Sequence, residues 1–173
     1  MPSGAGVFRG ERLWWLVAAI VVIADQATKW LASGLLQGRG QVRVAPFLNF
    51  VLHHNPGAAW SFLAGESGWQ RWLFALIAVA AAVLISALIR RHASERLFCA
   101  GLALILGGAL GNLVDRLAWG YVVDFVQLHA WAWFPDWPPF PTFNVADSAI
   151  TVGAGLVLFD SLRRRPGRSA QQG

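Results

Sequence analysis

Leu13-Trp14-Trp15-Leu16-Val17-Ala18-Ala19-Ile20-Val21-Val22-Ile23-Ala24-Asp25-Gln26-Ala27-Thr28-Lys29-Trp30-Leu31-Ala32 is the stretch whose reading decides the fold. An uncharged apolar run reaches Ala24, and Asp25 and Lys29 then stand one helical turn apart inside the same segment. A bilayer core of about 30 Å takes roughly 20 mostly apolar residues per helix, which this stretch supplies. Arginines ahead of an apolar run can also mark a cleaved signal peptide, and Leu31-Ala32-Ser33-Gly34 has the look of a cleavage site. The charges at Asp25 and Lys29, with three further spans downstream, favour a retained first span. Those spans are expected at about 69–89, 97–114 and 143–159 after the first at about 13–32.

Composition agrees. The chain has 173 residues, 56% hydrophobic and 13% charged, with a mean hydropathy of +0.49. A soluble domain would carry about a quarter charged residues. The length suits a single membrane-embedded domain over 1–173. The net charge of +5 and pI near 11.0 do not form one basic stripe, because the arginines flank the apolar runs. Membrane lipid is therefore the implied partner, and nucleic acid is not. The one cysteine, Cys99, excludes an internal disulfide and reads as a small core residue rather than a reactive thiol.

Arg9, Arg12, Arg90, Arg91, Arg96, Arg163, Arg164, Arg165 and Arg168 fall on one side of four alternating spans. Positive residues mark the cytoplasmic side, so both termini are expected there. Two outer loops remain, at 33–68 and 116–142. Gln41-Val42-Arg43-Val44 alternates, Phe47 to Leu52 is strand-like, and Asn55-Pro56-Gly57 supplies a turn, so a small periplasmic β-sheet is expected. The second loop carries Trp119, Trp131, Trp133, Trp137 and Phe140 among Pro135, Pro138, Pro139 and Pro141. Such aromatics settle at the headgroup level, as an interfacial loop or helix.

Depth counting brings polar residues to one height. Asp25 lies about 18 Å into the first span, and Asp147 about 18 Å from the far end of the last. About 27 Å of helix from Leu97 puts Asn112, Asp115 and Arg116 at the same outer level. A charge at such depth costs several kcal/mol unless paired or wet, so its default reading is functional. Each also has a structural reading. Asp25 and Lys29 at i,i+4 can neutralise each other, with Lys29 snorkelling outward. Asn112, Asp115 and Arg116 share a face, and Asp115 with Arg116 can form a local clamp. Gly107-x-x-x-Gly111 reads as helix packing. Asn144 and Asp147 fit a helix N-cap. None of these explains Asp124, a carboxylate in the apolar Tyr121-Val122-Val123-Asp124-Phe125-Val126 without a basic residue beside it.

If Asp124 meets Asp147, two such carboxylates hold one proton between them. One can then take a proton from water while the other polarises a carbonyl, the logic of aspartic peptidases, without a metal or other cofactor. Alternatives fit less well. His53 and His54 have no HExxH pattern around them and read as polar loop residues. Gly65-Glu66-Ser67-Gly68 matches the GxSG of serine intramembrane proteases, but Ser67 also makes an ordinary cap for the second span. A non-catalytic four-helix transporter or scaffold would use the same polar layer to bind ions. Depth alone leaves Asp25 and Asp147 equal.

Five segments together resemble the bacterial lipoprotein signal peptidases (signal peptidase II). They are Asp25-Gln26-Ala27-Thr28-Lys29, Asn55-Pro56-Gly57-Ala58-Ala59-Trp60-Ser61, the run from Gly107 to Arg116, Val122-Val123-Asp124-Phe125 and Phe143-Asn144-Val145-Ala146-Asp147. Each is weak alone. In this order, over Leu13 to Leu162, the set is highly specific. The resemblance implies an aspartic endopeptidase of the bacterial inner membrane, with its active site toward the periplasmic face. Its expected substrates are diacylglyceryl-modified prolipoproteins, cut N-terminal to the lipidated cysteine. It carries the catalytic pair onto Asp124 and Asp147, and supporting roles onto Asp25, Lys29, Asn55, Gly57, Asn112, Arg116 and Asn144, with Asp115 inside the same motif. It also implies inhibition by the cyclic peptide globomycin. Two departures are visible: Trp60 replaces a usual Phe, and the loop Gln127 to Thr142 looks long and rich in Trp and Pro.

Overall fold

The computed structural model describes residues 4–57, 68–129 and 138–164. Residues 1–3, 58–67, 130–137 and 165–173 lie outside them, and with them Trp60, Ser67, Trp131, Trp133, Pro135, Trp137, Arg165 and Arg168. In chain order the elements are α1 (Gly4–Leu36), β1 (Val42–Ala45), β2 (Leu48–Asn55), α2 (Trp69–Arg91), α3 (Arg96–Ala118), β3 (Val122–Leu128) and α4 (Val145–Arg163). All four helices are long and apolar enough to cross a membrane. Large apolar side chains such as Ile23, Leu76, Val83 and Leu158 stand more than half exposed, which suits a lipid solvent.

Of the four helices, α3 is central. Over its most apolar window 56% of residues are buried, against 22%, 17% and 22% for α1, α2 and α4. Lipid tails are as apolar as leucine, so close association of helices rests on backbone approach through small residues. The expected glycine pattern does this on two sides. A Cβ on Gly107 would lie 2.7 Å from the Ala18 carbonyl oxygen of α1, while one on Gly108 would collide with the Ala146 carbonyl oxygen of α4. Lower down, Gly101 and Gly153 face each other, each leaving room for the other's carbonyl. An apolar cluster around Trp14, Ala18, Ile85, Ile89, Leu102 and Leu106 fills the end away from the sheet, and Cys99 sits in it with its thiol donating to the His92 carbonyl.

The sheet is antiparallel in the order β1-β2-β3. Its first two strands come from the loop where strands were expected. The third comes from the second loop, where alternation is hidden because Val122, Val123, Asp124 and Phe125 are all buried. Gly120, at φ 86°, reverses the chain straight after α3 and returns β3 beside the helix end. Among the described residues the second loop holds no helix, and the segment expected to lie on the membrane falls largely in 130–137. Phe143 is not part of the last span. It bridges to Val126 in extended form, and the helix begins after Asn144. The cap of α2 is Gly68, in the left-handed region at φ 101°, rather than Ser67. A residue with a side chain is strained there, so glycine takes the position.

Replacing Gly108 by Leu should separate α3 from α4 at the level of Ala146 and lower stability by about 1–3 kcal/mol, the usual cost of overpacking. Thermal unfolding of the detergent-solubilised protein measures it.

Candidate active site

Asp25, Lys29, Asn112, Asp115, Asp124, Asn144 and Asp147 converge where the sheet meets the ends of α1, α3 and α4. Asp25 and Asp124 are 0% and 1% exposed, and Lys29 is 3% exposed. The expectation that Lys29 snorkels outward is therefore overturned. Its Nζ lies 2.8 Å from Asp25 Oδ2, 2.9 Å from Asp115 Oδ2 and 2.9 Å from Asn112 Oδ1. Two buried carboxylates and an amide oxygen offer an ammonium better company than a long reach to water. The i,i+4 pair with Asp25 is present as expected, but Lys29 also ties α1 to α3.

The expected clamp between Asp115 and Arg116 does not form. Consecutive helical residues point about 100° apart. Asp115 turns toward α1, where it takes Lys29 and the Gln26 amide at 2.8 Å, and its Oδ2 also accepts the Val123 backbone N–H at 3.0 Å. Arg116 turns toward the first outer loop and donates to the Gly57 carbonyl at 3.0 Å. Its guanidinium also lies 5.2 Å from the Phe74 ring centroid. Asp25 Oδ1 accepts the Ala146 N–H at 2.9 Å, so the equal depth counted for Asp25 and Asp147 is an actual junction of α1 with the first turn of α4.

Three asparagines set the two remaining carboxylates, and a fixed partner decides which way each amide faces. Lys29 has only hydrogens to give, so Asn112 turns its oxygen to Lys29 and its NH2 to Asp147 Oδ1 at 2.8 Å. Asn144 caps α4 by accepting the Asp147 N–H at 2.9 Å. Its NH2 then donates to Asp124 Oδ1 at 2.8 Å. Asn55 accepts the Gly57 N–H at 3.0 Å and presents its NH2 to Asp124 Oδ2 at 3.1 Å. Asp147 completes the capping box by accepting the Asn144 N–H at 3.2 Å. The helix cap read from the sequence is present: it orients Asn144, and Asn144 links Asp147 to Asp124.

The two aspartates share a cavity of about 560 Å³. Asn55, Asn112 and Arg116 line its polar end, while Phe140, Phe143, Ile150 and Val152 line an apolar arm that opens along α4. Burial, and next the charge of Asp147, push the Asp124 carboxyl up to about 7, against the opposing pull of Asn55, Lys29 and Asn144. Of the residues expected from sequence, Asp25 and Asp115 belong to the support around Lys29 rather than to the cavity wall. Gln26 went unnoticed: it donates to Asp115 and to the Gly111 carbonyl at 3.1 Å. Its position one residue past Asp25 in the first motif was the available signal. The apolar arm was also missed, since its residues look like ordinary span and loop.

His53 meets Thr142 at 3.0 Å and His54 stacks on Tyr121, so both brace the loops. His129, just past β3, is buried against Asn49 and Gln127 at the far end of the sheet. His92 pairs with Glu95 at the opposite end of α2 from Gly68.

The family model described as signal peptidase (SPase) II matches residues 17–163. A lipoprotein signal peptidase of Paraburkholderia phymatum is 51% identical over 151 residues, covering 87% of this chain and 88% of the relative. One from Polynucleobacter necessarius is 48% identical over 155 residues, covering 90% and 92%. A bacterial membrane enzyme solved by the in meso method at 2.3 Å superposes with a TM-score of 0.78 at 30% identity, covering 93% of this chain and 94% of that one. The architecture is that of a multi-pass membrane peptidase. The chain belongs to the signal peptidase II family.

Lys29→Met leaves Asp25 and Asp115 buried without their cation. It should destabilise the protein by about 3–5 kcal/mol, the cost of breaking a buried ion pair from one side. Thermal unfolding in detergent measures it, and Asp25→Asn, which leaves Lys29 with Asp115, should cost less.

Proposed function

We propose that Asp124 and Asp147 are the catalytic pair of this signal peptidase II family member, with Asp25, Lys29, Asn55, Gly57, Asn112, Asp115, Arg116 and Asn144 supporting them. The chain is a protease that removes signal peptides from prolipoproteins, as its family membership establishes. The observation that carries the residue assignment is Asn144, which donates to Asp124 and caps Asp147 within one cavity.

Two carboxylates so close hold one proton between them over a wide pH range. Burial and the neighbouring carboxylate raise the Asp124 carboxyl to about 7, so the pair still holds its shared proton near neutrality. The ionised member takes a proton from a water in the cavity, and that water attacks the scissile carbonyl. The protonated member donates to the carbonyl oxygen, and the collapsing intermediate releases the new amine with a proton from the pair. Arg116, held at the cavity wall, can meet a substrate carbonyl. The apolar arm along α4 suits a diacylglyceryl-modified cysteine, cut on its N-terminal side.

The arginines at the end away from the sheet support an orientation with both termini in the cytoplasm and the site toward the periplasmic face of the inner membrane. A substrate anchored by acyl chains in the outer leaflet places its scissile bond at that height. Residues 1–173 then work as one membrane-embedded domain, and globomycin is expected to occupy the cavity. A serine mechanism is disfavoured: His92 lies a 23-residue helix away from Gly68, and His129 is engaged at the sheet.

Asp124→Asn and Asp147→Asn should each lower cleavage of a diacylglyceryl-modified precursor at least about a hundredfold, the low end of acid–base contributions. Both should still fold in detergent, and Ser67→Ala should cut normally. Full activity in either aspartate variant refutes the pair. The cleavage rate should also fall as pH rises through about 7, where Asp124 loses its proton. Folding stability should decline in the same direction. The raised carboxyl favours the folded state fully below its ordinary value of 3.8, and that contribution is lost by about 7.

A further inference from the structure

Outside the active site, α1 and α2 scarcely touch one another, and each packs on α3 instead. Between them runs a groove of about 670 Å³, walled by Ala19 and Val22 of α1 and by Val83 and Ala87 of α2, with Leu106 and Leu110 as its floor. It extends from Val79 to Arg90, about 17 Å at 1.5 Å per residue, and so lies along the bilayer normal. Small residues on both walls keep it open where larger ones would fill it.

One end of this apolar slot is charged. Arg90 lines it on the last turn of α2, exposed, with its guanidinium 5.9 Å from the Trp15 ring centroid. The Trp15 ring on the facing wall of α1 holds the cation at the groove mouth. Arg12 and Arg91 lie exposed at the same end of the spans. An occupant must therefore be apolar for most of its length and anionic at one end. In a bilayer that describes a phospholipid with a net negative headgroup.

We propose that this groove is a binding site for an anionic phospholipid, one acyl chain lying between α1 and α2 and the phosphate on Arg90. Its charged mouth lies at the end of the bundle away from the sheet, it opens between α1 and α2 rather than along α4, and it stands independently of the peptidase assignment. Basic pockets between transmembrane helices bind acidic headgroups through this combination of charge and apolar fit. Arg90 sets the headgroup preference, and the two alanine-lined walls set the fit of the chain.

The test is native mass spectrometry of the detergent-solubilised protein with added phosphatidylglycerol or phosphatidylcholine of identical acyl chains. The wild type should retain phosphatidylglycerol about fivefold better, the effect of one arginine beside a phosphate at a membrane surface. Arg90→Gln should abolish that preference, while Arg90→Lys and Arg91→Gln should keep it. Ala19→Phe, at an exposed groove position, should reduce retention of both lipids. Equal retention by the wild type overturns the proposal. So does a loss of preference in Arg91→Gln as large as in Arg90→Gln, or retention by Ala19→Phe equal to the wild type.

Discussion

Everything at the catalytic level hangs on one ammonium group that never reaches water. Lys29 carries a full charge at 3% exposure, tolerable only because Asp25, Asp115 and Asn112 surround it. Those partners belong to two helices, so the ion cluster fixes the register of α1 against α3. Asp25 then reaches the backbone of Ala146 and brings in α4, and Asp115 reaches the backbone of Val123 and brings in β3. Four elements, α1, α3, β3 and α4, are located by two aspartates and one lysine.

From that cluster a definite polarity spreads outward. Lysine can only donate, so Asn112 must face it with oxygen. The free end of the α4 helix needs an acceptor, so Asn144 must face it with oxygen. In both cases the NH2 is left for an aspartate. Donors on a carboxylate favour its ionised form, whereas burial and a second carboxylate oppose it. For Asp124 the opposing effects win, and the carboxyl rises to about 7. The proton we propose the pair shares near neutrality follows from burial and the neighbouring carboxylate, while helix capping and charge pairing fix where the two acids stand.

Much of this was legible in the chain. Four spans, a sheet in the first outer loop and a shared height for Asp25, Asn112, Asp115 and Asp147 all follow from length, periodicity and rise per residue. Asp124 was legible only as an unexplained cost, because its strand is buried on both faces and shows no alternation. Pairing it with Asp147 required the family motifs. The direction of Lys29 was misread, since snorkelling is a rule for a lysine near lipid, and Lys29 points into the bundle. The clamp between Asp115 and Arg116 failed for a simpler reason: adjacent helical residues diverge, and each found a partner from a distant segment. Long-range partners such as these are what local spacing does not encode.

The shared proton is the claim on which the mechanism turns. Infrared difference spectroscopy of a pH titration, on the wild type and on Asp124→Asn, observes it without turnover. The wild type should show a protonated carboxyl band that disappears as pH rises through about 7 and is missing from the variant. A wild type with no such band below that pH, or a band that survives unchanged in Asp124→Asn, would contradict it.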